Sequence, residues 1–157
     1  MIPTGAELSQ GMEFVTRRRE SDDDRYIRSS YLSSYHKVPP MQMVRFQLYT
    51  PNQTKVLEFL LRTASVIVAC FPESPNDIVG YAIHQHLHGA LILHYLHTRI
   101  HGVGIGRKLV QTVAGDAKLV IATHPFRKYR SLRSKVAPLQ VEFDPYLLPR
   151  LMSHGQT

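Results

Sequence analysis

The chain has 157 residues, 43% hydrophobic and 20% charged, with 19 Lys plus Arg, 12 Asp plus Glu and nine His. That length fits one domain, residues 1–157, with a core large enough to need no staples, and the single Cys70 cannot form an internal bridge. A formal charge of +7 predicts a surface that attracts anions, while no apolar run reaches the about 20 residues of a bilayer span and no secretion-signal pattern opens the chain, so a cytoplasmic setting is expected.

Residues 1–11 carry no periodic signal and read as an irregular arm. Met12-Glu13-Phe14-Val15-Thr16 alternates and predicts a first strand. Ser21-Asp22-Asp23-Asp24 supplies a cap and three acids suited to the positive end of a helix, and Tyr26, Ile27, Tyr31, Leu32 and Tyr35 recur at helical spacing. A helix over about 22–35 follows. After Pro51-Asn52-Gln53, the stripe Val56, Leu57, Phe59, Leu60 and Leu61 predicts a second, short helix.

From Ser65 the pattern changes to strands. Val66–Phe71 is β-branched and apolar, residues 72–77 are turn chemistry, Ile78–Leu87 is a further strand, and Gly89 separates it from Ala90–His97. Residues 65–98 therefore predict an antiparallel meander. Leu109, Val110, Val113 and Ala114 then share a helical face, Lys118–Thr123 is a short buried strand, Phe126–Lys135 is a basic helix, and Pro138–Phe143 is a last strand before an irregular tail at 145–157. The order is that of a mixed α/β domain.

The segment richest in chemistry is Leu96-His97-Thr98-Arg99-Ile100-His101-Gly102-Val103-Gly104-Ile105-Gly106-Arg107-Lys108. A strand runs into three alternate glycines and then a helix, which gathers unpaired amides and a positive dipole end at one spot. Glycines let a phosphate approach the backbone, and Arg107 and Lys108 add positive charge. The spacing lacks the G-x-G-x-x-G register of dinucleotide folds and the Gly-Lys-Ser/Thr of a P-loop. A tight strand-to-helix turn without a ligand also accounts for the glycines taken alone.

This stretch resembles the acetyl-CoA motif of the GNAT superfamily of N-acetyltransferases, Arg/Gln-x-x-Gly-x-Gly/Ala, with His101 to Gly106 in the motif positions. Val66–Ala69, Ile78–Ile83 and Leu91–Leu96 are similar to the family's second, third and fourth strands, and the likeness covers about residues 12–136. It implies a V-shaped, mostly antiparallel mixed sheet flanked by helices on both faces, whose fourth and fifth strands splay apart to hold acetyl-CoA. The pantetheine arm would bond to the backbone of Leu96, His97 and Thr98, and the pyrophosphate would sit on Gly102, Val103, Gly104, Ile105, Gly106 and Arg107. His101 stands where the family has Arg or Gln, a shorter and mostly neutral group at pH 7. The family closes with a helix and two strands, whereas only one strand is legible here, so the sheet is short at that end or a partner chain supplies an edge.

The implied activity is acetyl transfer from acetyl-CoA to an amine of a small molecule or a protein. That reaction needs a base for the ammonium, and no carboxylate lies from Ile78 to Gly115, where histidines stand instead. His84, His86 and His88 alternate on one strand face. An odd-numbered turn at Gly89 would place His94 on that face, and a two-residue turn would place His97 there. The family's catalytic face favours His94, with His84 across from it, and Tyr129 is the candidate acid toward the CoA sulfur. Paired His on a strand also suit zinc, but with no cysteine or carboxylate beside them no metal is expected. The basic, aromatic-interleaved stretch 124–135 suits the phosphates of CoA or a solvated face better than nucleic acid. The competing reading is a non-catalytic protein of the same fold that regulates a protein partner. Residues 107–135 hold eight Lys plus Arg against Asp116 alone, so the excess charge lies in that one segment.

Overall fold

The computed structural model describes residues 13–36, 43–100, 102–123, 136–144 and 146–154. Its centre is the strand-rich middle of the chain. β2 (Ser65–Phe71), β3 (Ser74–Leu87) and β4 (Ala90–Thr98) form the predicted meander, and β1 (Val15–Arg18) pairs antiparallel with β2. β5 (Leu119–Ala122) adds to β4 in parallel and β6 (Gln140–Phe143) adds to β5 in parallel, giving one mixed six-stranded sheet in the order β1 to β6.

Helices cover both faces. α1 (Asp24–His36) and α2 (Met43–Thr63) lie on one, where Ile27, Tyr31, Leu57 and Leu60 pack on Val66, Val68, Tyr81, Ile83 and Tyr95. α3 (Ile105–Ala114) lies on the other, its Ile105, Leu109, Val110 and Ala114 meeting Ala69, Val79, Ala82, Leu91, Leu93 and Val120. These residues recur about once per turn on each helix, with Leu109 and Val110 adjacent on α3, which is the pattern of a single apolar face turned to the sheet. α4 (Leu147–His154) closes the described chain and sets Leu148 against the α1/α2 core.

Several boundaries differ from expectation. The first strand, expected at 12–16, is Val15–Arg18, the stretch that pairs with Ile67–Cys70 of β2, while Met12 lies outside the described residues; on it the Arg17 guanidinium grips Asp23 at 2.7 and 2.8 Å and the Pro75 carbonyl at 2.9 Å. Asp23 also accepts from the Glu20 amide at 2.7 Å, so a 3-10 turn over Ser21–Asp23 precedes α1. The second helix is long rather than short, running through Pro51. β3 starts four residues early, at Ser74, since Phe71 pairs with Ser74 across a tight hairpin. The tail is not irregular; residues 147–154 are helical. The basic helix expected at 126–135 lies outside the described residues.

Candidate functional site

β3 and β4 are joined by His88 and Gly89, whose φ of +50° and +80° give the two-residue mirror-image turn that suits a twisted hairpin. Simple alternation from this turn would put His97 on the face of His84. A bulge prevents it. The pairing runs Leu87↔Ala90 to His84↔Leu93 and resumes at Ile83↔Tyr95, so His94 is an extra residue on β4. Leu91 and Leu93 keep to the α3 face with His84, whereas His94, Tyr95 and His97 turn to the α1/α2 face. Neither His94 nor His97 therefore shares a face with His84, as parity had suggested one of them would.

His94 is 1% exposed and uses both ring nitrogens: Nδ1 is 2.9 Å from Thr123 Oγ1 and Nε2 is 3.0 Å from Gln85 Oε1. With an amide oxygen facing Nε2, that nitrogen carries the proton and Nδ1 accepts from the Thr123 hydroxyl. Burial first, and His84 second, push its pKa down to about 4. The ring is thus a neutral bridge at neutral pH, with neither nitrogen open to an incoming ammonium.

His84 is likewise pushed down to about 4 by burial and then by His86, and its Nδ1 is buried without a hydrogen-bond partner. His86 donates from Nε2 to the Val113 carbonyl at 2.8 Å, so the pair lies beside the end of α3. His88 is in the turn, off the shared face. Among the described residues no three His, Cys, Asp or Glu side chains gather as a metal-binding group.

The strand-to-helix turn is built by close contacts on one side and open space on the other. A Cβ on Gly80 would meet the His97 carbonyl oxygen at 2.7 Å and Ile105 Cγ2 at 2.9 Å, and one on Gly106 would meet Leu96 at 3.3 Å. These glycines let the first turn of α3 settle onto β3 and β4. Gly102 and Gly104 both have φ of +81°, with nothing within 4 Å of where a Cβ would stand. The first helical bond is made by the Lys108 amide to the Gly104 carbonyl at 3.0 Å, so the amides of Ile105, Gly106 and Arg107 precede the ladder. Arg107 is exposed beside them. Lys108, expected to add charge there, instead reaches the Phe14 carbonyl at 3.2 Å and lies 4.8 Å from its ring centre. His101 and Tyr129 lie outside the described residues.

Sequence reasoning missed the partners of His97. Its Nε2 is 3.0 Å from Tyr26 Oη, and its ring lies 5.2 Å from that of Tyr81. Beside Tyr26 a cleft of about 240 Å³ opens, lined by Asp22, Asp23, Asn76, Asp77, Ile78 and Arg99, with Arg99 bridged to Asp77 at 2.9 Å. The clue was Asp77 itself, which directly precedes the carboxylate-free stretch 78–115. Cross-strand position, not sequence spacing, brings it to Arg99.

No protein-family profile and no curated relative matches this sequence. Solved structures do match its fold. An inferred acetyltransferase of the GNAT family from Desulfovibrio desulfuricans gives a TM-score of 0.51 at 19% identity, over 80% of this chain and 84% of its own. An inferred acetyltransferase from Pyrococcus furiosus gives 0.53 at 16% identity, over 76% and 87%. A GNAT family acetyltransferase from Brucella melitensis, in complex with acetyl-CoA, gives 0.50 at 17% identity, over 77% and 82%. With its mixed six-stranded sheet and helices on both faces, the chain has the fold of the GNAT acetyltransferases.

Proposed function

We propose that the chain binds acetyl-CoA along the end of β4 and at the start of α3, and transfers the acetyl group to an amine. The observation that carries this reading is the turn at Gly102–Gly106. Two left-handed glycines present open backbone, and a third packs the amide-bearing helix end against Leu96 and Thr98. A diphosphate fits such a place, since amides and the helix dipole both favour negative charge and Arg107 adds a cation. Leu96, His97 and Thr98 then line the pantetheine arm, and His101 adds its weaker support to the loop.

His94, the candidate base, is held by Thr123 and Gln85, so it supports the site by position rather than by accepting the amine's proton. His84 is on the opposite face, and Tyr129 keeps its proposed role as acid toward the sulfur. This occupation of His94 is also what favours the second reading, a non-catalytic binding protein of the same fold.

Calorimetry with acetyl-CoA tests the first half. Binding by the wild type is expected, with a clear loss in Gly104→Ala, whose methyl strains the left-handed position and stands where the phosphate approaches the backbone, and abolition in Gly104→Glu, which sets a carboxylate among the amides. No binding by the wild type at any accessible concentration overturns the reading. Release of free CoA over a panel of small amines and lysine peptides tests the second half; binding without release for any of them selects the non-catalytic protein.

A further inference from the structure

We propose that Gln85 and Thr123 are positioning residues that lock the His94 ring as a pin across β3, β4 and β5, and that this pin sets the point where β4 and β5 part around the thioester end of acetyl-CoA. The inference rests on the cofactor reading above and goes beyond it by naming what holds the fork. Three observations meet at one place. Among the described residues the β4–β5 ladder is short, from Leu91↔Val120 to Leu93↔Ala122, and its last backbone link is the bond from the Thr123 amide to the Leu93 carbonyl at 3.1 Å. The very next cross-strand link is made by side chains, His94 Nδ1 to Thr123 Oγ1 at 2.9 Å. At the same residue β4 carries its bulge, and the second ring nitrogen reaches back to Gln85 on β3 at 3.0 Å.

Each of these has a separate physical effect. A parallel ladder left to itself adds one backbone bond after another and zips the strands together. The bulge interrupts that progression, and a ring bonded at both ends joins the strands at one point without extending it. His94 is 1% and Thr123 6% exposed, so water does not substitute for either partner, and removing one leaves a buried nitrogen unsatisfied. Gln85 Oε1, an acceptor, sets the proton on Nε2, and the Thr123 hydroxyl, which can donate or accept, then donates to the bare Nδ1. The two neighbours together select one neutral tautomer and one ring orientation.

The test compares two probes in the full chain. Adenosine 3′-phosphate 5′-diphosphate carries the phosphates of CoA and no pantetheine, so it reads the turn at Gly102–Gly106; acetyl-CoA reads the turn and the fork together. Thr123→Val is expected to weaken acetyl-CoA at least about tenfold while the nucleotide binds within about twofold of wild type, and Thr123→Ser is expected to restore both, as follows from one lost buried hydrogen bond. Gln85→Leu should behave as Thr123→Val does, and serves if the valine variant does not fold. Nitrogen-15 shifts of the His94 ring should show the Nε2–H tautomer in the wild type. Equal loss of both probes in Thr123→Val and Gln85→Leu, or unchanged acetyl-CoA binding in them, overturns the pin. Nucleotide binding with no acetyl-CoA preference in the wild type overturns it too, whereas a wild type that binds neither probe overturns the cofactor reading itself.

Discussion

Gly80→Ala tests how the candidate turn is held in place. The added methyl would stand 2.7 Å from a backbone oxygen on β4 and 2.9 Å from Ile105, the first residue of α3. Ordinary contacts begin near 3.4 Å. The carbonyl cannot retreat alone, because Gly80 pairs with Thr98 and Ala69 on either side. The strain therefore falls on the β3–β4 register or lifts the start of α3. Over-filled core sites of this kind cost about 1–3 kcal/mol. Taking about 2 kcal/mol, Tm should fall by about 4–8 °C in a chain of this size. Gly89→Ala is the control: its φ is +80° but nothing lies within 4 Å, so only backbone strain acts. That strain costs about 1 kcal/mol, with acetyl-CoA affinity unchanged. Differential scanning calorimetry and titration calorimetry on both variants read the two effects. A Gly80→Ala protein with wild-type Tm and wild-type affinity would refute the claim that this contact seats the helix.

Acid should destabilise the fold in a defined window. His84 and His94 sit at about 4 in the fold against 6.5 in the open chain, so the unfolded state binds more protons between those values. Stability is full above about pH 6.5 and falls as pH drops toward 4; His94 alone accounts for about 2 kcal/mol between pH 7 and pH 5. Urea unfolding at the two pH values checks this, and a His94→Gln variant should lose part of the difference. Arg17→Met leaves the Asp23 carboxylate, 4% exposed, without its partner and should cost about 3–5 kcal/mol by urea unfolding. Arg17 and, behind it, the Glu20 amide hold that carboxyl below the usual range against the opposing effect of burial, so this contribution is lost at still lower pH, as Asp23 protonates. His88→Gly should raise stability by about 0.5–1 kcal/mol, since it removes a side chain from a left-handed position.

Which parts of this architecture were legible in the sequence follows from the range of the forces involved. Leu109, Val110 and Ala114 report burial through helical periodicity and Ile78–Ile83 through an unbroken run without charged or strongly polar side chains, and both segments lie inside the elements they suggest, although β3 begins four residues earlier. The turn at His88–Gly89 is likewise local. The bulge at His94 is not: it is a register difference between two strands, and one extra residue moves His97 to the other face without leaving any mark in composition. The same holds for Arg17, whose partners Asp23 and Pro75 are brought together by pairing of β1 with β2 and of β2 with β3. Lys108 shows the converse. Its position beside the glycines suggested a phosphate partner, but its side chain reaches Phe14, which packs against the core beneath α3.

The tyrosines packed between α1 and the sheet have a further consequence, for spectroscopy. The chain has eight Tyr and no Trp, and Tyr26, Tyr31, Tyr81 and Tyr95 form a chain of neighbours, with ring centres 4.7 Å apart for Tyr31–Tyr95, 5.8 Å for Tyr81–Tyr95 and 6.3 Å for Tyr26–Tyr81. Two of these rings ride on α1 and two on the sheet. Chromophores at such distances couple, and no indole signal masks them. Near-ultraviolet dichroism and intrinsic fluorescence of the unlabelled protein thus report directly on whether α1 is docked, with His97, bonded to Tyr26, joining the fate of that helix to the end of β4.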